Sequence, residues 1–164
     1  MDILDESLLE FWKSLNQQQV LYIMVGGFAV NMHRFTRSTN DINLWLKDTK
    51  LNRQNFGKAM APLGYDGLSW GEIQFVPGWS EFFIGPGIRL DIMIDMKGLN
   101  DISFDEAYQI ANIGQIEGLH VPFLQINQLI ANKKAVNRPK DQIDVIELEK
   151  IKKLREDMDR ANNP

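Results

Sequence analysis

The sequence predicts an α+β fold: a mixed β-sheet flanked by helices, with further helices closing the chain. Three observations carry this reading. Helical and strand periodicities follow in the order helix, strand, helix, strand, helix, several strands, helices. The run Val20 to Val25 is continuously apolar, as in a strand covered on both faces. The middle of the chain is punctuated by Gly64, Gly67, Gly71, Pro77, Gly78, Gly85, Pro86 and Gly87, which mark out short strands.

Taken in order, Glu6 to Gln18 places Leu8, Leu9, Phe11, Trp12 and Leu15 on one stripe at helical spacing, and the glutamines 17–19 close it. The strand Val20 to Val25 stops at Gly26-Gly27, and Phe28 to His33 is a short helix-compatible stretch. A polar, basic segment from Arg34 to Asn40 leads into a second strand. There Ile42, Leu44 and Leu46 alternate with Asn43, Trp45 and Lys47, so Asp41, Asn43 and Trp45 share the opposite face. Leu51 to Leu63 reads as a surface helix, with strands at Ile73 to Val76, Glu81 to Ile84 and Ile88 to Ile94. Phe104 to Ala111 reads as a helix, and Ile113 to Ile116 with Leu119 to Val121 as a hairpin around Glu117-Gly118. Leu124 to Ala135 and Lys140 to Met158 are the closing helices, and Arg160 to Pro164 a frayed end.

The chain has 164 residues, a formal net charge of −4 and 44% hydrophobic residues, which suits one domain over 1–164 with a real core. Within it, 1–19 forms the N-terminal helix, 20–121 the sheet core and 122–160 the C-terminal helices. With no cysteine, disulfides, thiolate zinc sites and cysteine nucleophiles are excluded; two lone histidines, His33 and His120, argue against a histidine metal centre. Any metal chemistry must use oxygen ligands. No apolar run is long enough to cross a bilayer, and the acidic opening Met1-Asp2-Ile3-Leu4-Asp5-Glu6 is unlike a signal peptide, so a cytoplasmic location without membrane contact is expected. The acidic balance also argues against a duplex-DNA partner.

Four features converge on chemistry: the Gly26-Gly27 turn after a buried strand, the basic segment Arg34 to Arg37, the strand start Asp41-Ile42-Asn43, and Arg89-Leu90-Asp91-Ile92 on a later strand. A glycine pair between strand and helix lets backbone N–H groups approach an anion closely; its plainer reading is a tight turn. Asp41 and Asn43, two apart on a strand, project oxygens to one face, and Asp91 on a neighbouring strand could join them. Such an oxygen site suits Mg²⁺ (or Mn²⁺), which takes carboxylates plus phosphate oxygens and waters, beside a turn that holds phosphate.

These residues resemble the nucleotidyltransferase superfamily, whose members include DNA polymerase beta, the aminoglycoside nucleotidyltransferases and the AbiEii-type toxins. Val25-Gly26-Gly27, thirteen residues, then Asp41-Ile42-Asn43-Leu44 is similar to its glycine-pair and acid signature, and Leu90-Asp91-Ile92 sits where the family carries a third carboxylate. The stretch Gly26 to Ile42 most resembles the small bacterial AbiEii-like branch, which also has a late basic segment similar to Lys133-Lys134…Arg138-Pro139-Lys140-Asp141…Asp144.

The resemblance implies the nucleotidyltransferase fold and Mg²⁺-dependent transfer of a nucleoside monophosphate from an NTP to a hydroxyl or phosphate of RNA, protein or a small molecule. It also implies a possible role as a toxin working against an antitoxin. Asp41 and Asp91 would be the catalytic acids, with Asp41, Asn43 and Asp91 the metal ligands. Gly26, Gly27, Arg37, Thr39, Lys134 and Lys140 would hold the nucleotide. The departure is Asn43, where the pattern has Asp or Glu: an amide oxygen coordinates but supplies no charge. Two outcomes follow: a working site with a weak third ligand, or a catalytically impaired nucleotide-binding domain acting with a protein partner.

Other residues have plainer alternatives. His33 reads as a base contact or a buried structural histidine, and Asp95 as a fourth acid or a strand end. Trp70, Trp79, Phe82 and Phe83 read as stacking surfaces or packing residues. Arg138-Pro139-Lys140-Asp141 is explained by helix capping alone.

Overall fold

The computed structural model describes residues 6–35, 39–76 and 81–163. The described strands form one six-stranded mixed sheet with helices packed on it, as the periodicities predict. Its elements are α1 (Glu6–Gln17), β1 (Tyr22–Val25), α2 (Gly26–Met32), β2 (Asp41–Leu46), α3 (Lys50–Met60), β3 (Glu81–Gly85), β4 (Ile88–Met93), α4 (Phe104–Ile110), β5 (Asn112–Ile116), β6 (Leu119–Phe123), α5 (Ile126–Val136) and α6 (Pro139–Asn162). The spatial order is β3-β4-β2-β1-β6-β5. β2 runs antiparallel to β1 and parallel to β4, β6 runs parallel to β1, and β3–β4 and β5–β6 are antiparallel hairpins.

The central pair, β1 and β2, carries the apolar residues that organise the core. Every residue of β1 is buried, and Ile42, Leu44 and Leu46 of β2 are fully so. Helix α1 lays Leu8, Phe11, Trp12 and Leu15 into this core, the stripe its spacing demands. In the β5–β6 hairpin, Glu117 at φ +49° and Gly118 at φ +78° supply the two left-handed residues that a tight two-residue turn needs.

The differences from the expected boundaries have local causes. The first strand starts at Tyr22, not Val20, because the Val20 N–H bonds Leu15 O at the end of α1, and both backbone groups of Leu21 go to the side chain of Asn52. The helix expected to reach Leu63 leaves α-geometry after Met60; Ala61–Leu63, carrying Pro62, is a 3₁₀ turn closed by Gly64 at φ +97°. Residues 73–76 form no strand. Arg53 takes the carbonyls of Trp70 (3.1 Å) and Ile73 (2.6 Å), so a side chain satisfies this backbone in place of a ladder. β6 continues to Phe123, two residues past the expected end, because Met24 pairs with Phe123 across β1. α6 runs to Asn162, well into the expected frayed end.

Candidate active site

The start of β2 lies beside the end of β1 on one side and the start of β4 on the other. Antiparallel pairing sets Val25 opposite Asn43; parallel pairing sets Asn43 opposite Asp91 and Asp41 opposite Arg89. The alternation on β2 and the matching alternation on β4 therefore bring four polar side chains, Asp41, Asn43, Arg89 and Asp91, to one patch of one sheet face. They line a cleft of about 570 Å³, within the range of small-ligand sites.

One wall is the turn into α2. Gly26 takes φ +69°, a conformation that favours glycine, and a Cβ placed there would collide with Asn43 Nδ2. The amide of Asn43 is thus packed directly under the turn. Gly26 and Gly27 both line the cleft, and Val25 at the N-cap offers no side-chain acceptor to the first-turn amides. Thr39 lines it too, its Oγ1 lying 3.4 Å from the Asp41 amide nitrogen and carbonyl oxygen.

A further part of the lining comes from α5 and the start of α6, through Asn132, Lys133, Arg138, Lys140 and Asp141. Lys133 is buried, its Nζ 3.0 Å from Asp141 and 3.1 Å from Asp144. Asp141 is fully buried and accepts from the Arg138 backbone N–H (3.0 Å) and guanidinium (2.6 Å). Burial alone would raise its pKa, but the hydrogen bonds from Arg138 and Lys133 and the Lys133 charge hold it down to about 2. The capping reading of Arg138-Pro139-Lys140-Asp141 is met by the Asp141 carboxylate, which accepts from the N-cap backbone N–H of Arg138. Five cationic side chains, Arg89, Lys97, Lys133, Arg138 and Lys140, and four carboxylates line the cleft, with Arg89 paired to Asp41, Arg138 to Asp141, and Lys133 to Asp141 and Asp144.

Of the residues expected in the site, the structure brings together Gly26, Gly27, Thr39, Asp41, Asn43, Asp91 and Lys140. Asp95, just past the end of β4, lines the cleft as well. Lys134 does not: it is exposed and paired with Glu149 at 2.9 Å, while Lys133, one residue and about 100° earlier on α5, faces the cleft. Arg37 and Trp79 lie outside the described residues. Trp45 shares the strand face of Asp41 but is buried away from the cleft, donating to Ile94 O at 3.2 Å. Trp70 and Phe82 are packing residues, in a cluster of rings with Phe56, Phe75 and Tyr65. His33 is buried, with Nε2 2.8 Å from Leu124 O.

Sequence reasoning did not name Arg89, Lys97, Lys133 or Arg138 as catalytic, metal or nucleotide-binding residues. For Arg89 a signal existed: it stands two before Asp91, as Asp41 stands two before Asn43. It forks onto Asp41, Nε to Oδ1 at 2.9 Å and Nη2 to Oδ2 at 3.1 Å. Among the described residues no three acids or histidines cluster tightly enough to hold a metal alone. The donor set nevertheless fits magnesium in its chemistry: two carboxylates and an amide oxygen, all hard donors, beside cations that would hold the phosphates supplying the remaining oxygens.

No protein-family model and no curated protein matches the chain. Solved structures similar to it include two of one protein. The solution structure of the antibiotic-resistance factor ANT(2'')-Ia aligns with TM-score 0.54 at 18% identity, over 95% of this chain and 91% of that one. The crystal structure of ANT(2'')-Ia in complex with adenylyl-2''-tobramycin aligns with TM-score 0.54 at 19% identity, over 94% and 96%. The chain thus has a nucleotidyltransferase fold over nearly its whole length.

Proposed function

We propose that the protein transfers a nucleoside monophosphate from an NTP to a hydroxyl of a small-molecule acceptor. The observation that carries this is the in-register patch of Asp41, Asn43 and Asp91 beside a Gly-Gly turn, in a cleft that Lys133, Arg138 and Lys140 also line. Support for a small acceptor comes from ANT(2'')-Ia, whose complex holds an adenylylated tobramycin and whose fold this chain matches almost end to end. RNA or protein acceptors, and action as an AbiEii-like toxin with an antitoxin, have no comparable support.

Asp41 and Asp91, with the amide oxygen of Asn43, are the residues that would hold magnesium, which supplies neutralisation of the triphosphate charge. Lys140 and the Gly26-Gly27 amides bind the phosphates, and Arg138, anchored on Asp141, stiffens the wall from which Lys140 projects. Asp91 accepts the proton of the acceptor hydroxyl as its oxygen attacks the α-phosphorus, forming the new P–O bond while pyrophosphate leaves with the broken one. The protein's contribution is positioning and charge.

The test is the melting temperature with ATP, CTP, GTP or UTP, with and without Mg²⁺, for the wild type, Asp41→Asn and Asp91→Asn. A nucleotide at 100 times its dissociation constant adds about 2.7 kcal/mol, a rise of about 5–10 °C for a chain of this size. A magnesium-dependent rise that both substitutions remove supports the reading, and α-labelled NTP with aminoglycosides then reports transfer. No rise with any nucleotide overturns it. A rise without transfer favours the impaired nucleotide-binding domain, for which the uncharged Asn43 wedged beneath Gly26 is the specific observation; Asn43→Asp then gains metal affinity.

A further inference from the structure

We propose that Arg89 is a resident counter-ion: it closes the Asp41 carboxylate to a cation, and exchanges onto phosphate when nucleotide and metal enter together. This rests on the nucleotidyl-transfer reading of the cleft and adds to it a role for a residue outside the acid motif. The geometry points to it in three ways. The guanidinium covers both carboxylate oxygens of Asp41, at 2.9 and 3.1 Å, the bidentate arrangement that is the strongest form of such a pair. The pair is built into the fold, since Asp41 and Arg89 face each other across adjacent parallel strands in the same register that sets Asn43 against Asp91. It is also half-exposed, with 45% of the Arg89 side chain and 35% of the Asp41 side chain open, so it can separate without the loss that a buried pair would suffer.

The uncharged amide of Asn43 sharpens the consequence. An amide there leaves Asp41 and Asp91 as the acids of the patch, and Arg89 offsets one of them. A divalent cation arriving alone must therefore displace the guanidinium from Asp41 with little charge to draw it in. A cation arriving with a triphosphate meets a different balance, because the displaced planar fork matches phosphate oxygens as well as it matches carboxylate. Arg89 lines the cleft and need not leave it to make that exchange. Metal and nucleotide binding become coupled through one side chain.

The experiment measures Mn²⁺ binding in the absence of nucleotide, from the electron paramagnetic resonance signal of free Mn²⁺. The proteins are the wild type, Arg89→Gln, Arg89→Lys and the double variant Arg89→Gln with Asp41→Asn. The expected result is about tenfold tighter Mn²⁺ binding by Arg89→Gln than by wild type, with Arg89→Lys between them because it keeps the charge and loses the fork. The gain disappears in the double variant. Equal affinity in the wild type and Arg89→Gln, or a gain that survives loss of the Asp41 charge, overturns the proposal. A merely structural role for Arg89 would shift the melting temperature without tightening metal binding. Because this measurement contains no nucleotide, its outcome is independent of the NTP melting assay, and failure of one reading is distinguishable from failure of the other.

Discussion

At the scale of single residues, the site turns on a glycine and an amide that share one space. Gly26 sits at φ +69°, and an added Cβ would meet Asn43 Cγ at 3.1 Å and Cβ at 3.2 Å as well as its amide nitrogen. Gly26→Ala should therefore lower unfolding stability by about 1–3 kcal/mol in urea, from the left-handed strain and the displaced amide. Gly71→Ala, where an added Cβ meets nothing within 4 Å, should change it little. The glycine pair and the Asp41/Asn43 alternation were readable in the sequence because each is a property of a few adjacent residues. The contact between them was not, since it joins the start of α2 to β2, which only the fold brings together. The same holds for Asn52, a buried polar residue with no motif around it. Its amide takes the Leu21 N–H, the Leu21 carbonyl and the Lys47 carbonyl, each at 2.8 Å, and so adds a side chain to the Lys47 N–H to Leu21 carbonyl bond just past the β1–β2 ladder.

At the scale of elements, α5 and α6 are joined by a buried ion network, not by an apolar seam alone. Lys133 reaches two aspartates on the first turns of α6, and its removal leaves both carboxylates without that charge in a buried setting. Lys133→Met should destabilise the protein by about 3–5 kcal/mol at pH 7, measured by denaturant unfolding, whereas Lys134→Met, at an exposed pair, should change stability by less than about 1 kcal/mol. The reverse ranking would mean that the network is not what holds α6. The sequence marked this segment as basic followed by acidic. It singled out Lys134, whereas Lys133 lines the cleft, because helix phase against the cleft depends on how α5 packs, and adjacent lysines look alike until that phase is set.

At the scale of the whole molecule, His33 joins three parts of the fold: it follows α2, bonds Leu124 beyond β6, and meets Arg155 of α6 through Nδ1 at 3.3 Å and its carbonyl at 3.4 Å. Burial lowers its pKa from the ordinary 6.5; the Leu124 bond opposes this in part and the Arg155 charge adds to the lowering. Below about pH 6.5 the unfolded chain binds a proton that folded His33 resists, so the stability present above that pH is lost as pH falls toward the folded value. The urea midpoint should drop between pH 7.5 and pH 5.5, with a smaller drop for His33→Gln; an equal drop in wild type and variant would remove His33 as its source. Across the molecule, local periodicity by itself determined most of the elements, the apolar stripe of α1, the buried centre of the sheet and the residues able to carry oxygen chemistry. Only the tertiary structure decided which of them meet. A slip of two residues between β2 and β4 would keep Ile42 and Leu44 against apolar partners while setting Asp41 opposite Asp91 in place of Arg89. Hydrophobic patterning cannot choose between those registers, because each buries the same face, and the choice decides whether Asp41 meets a cation or another acid.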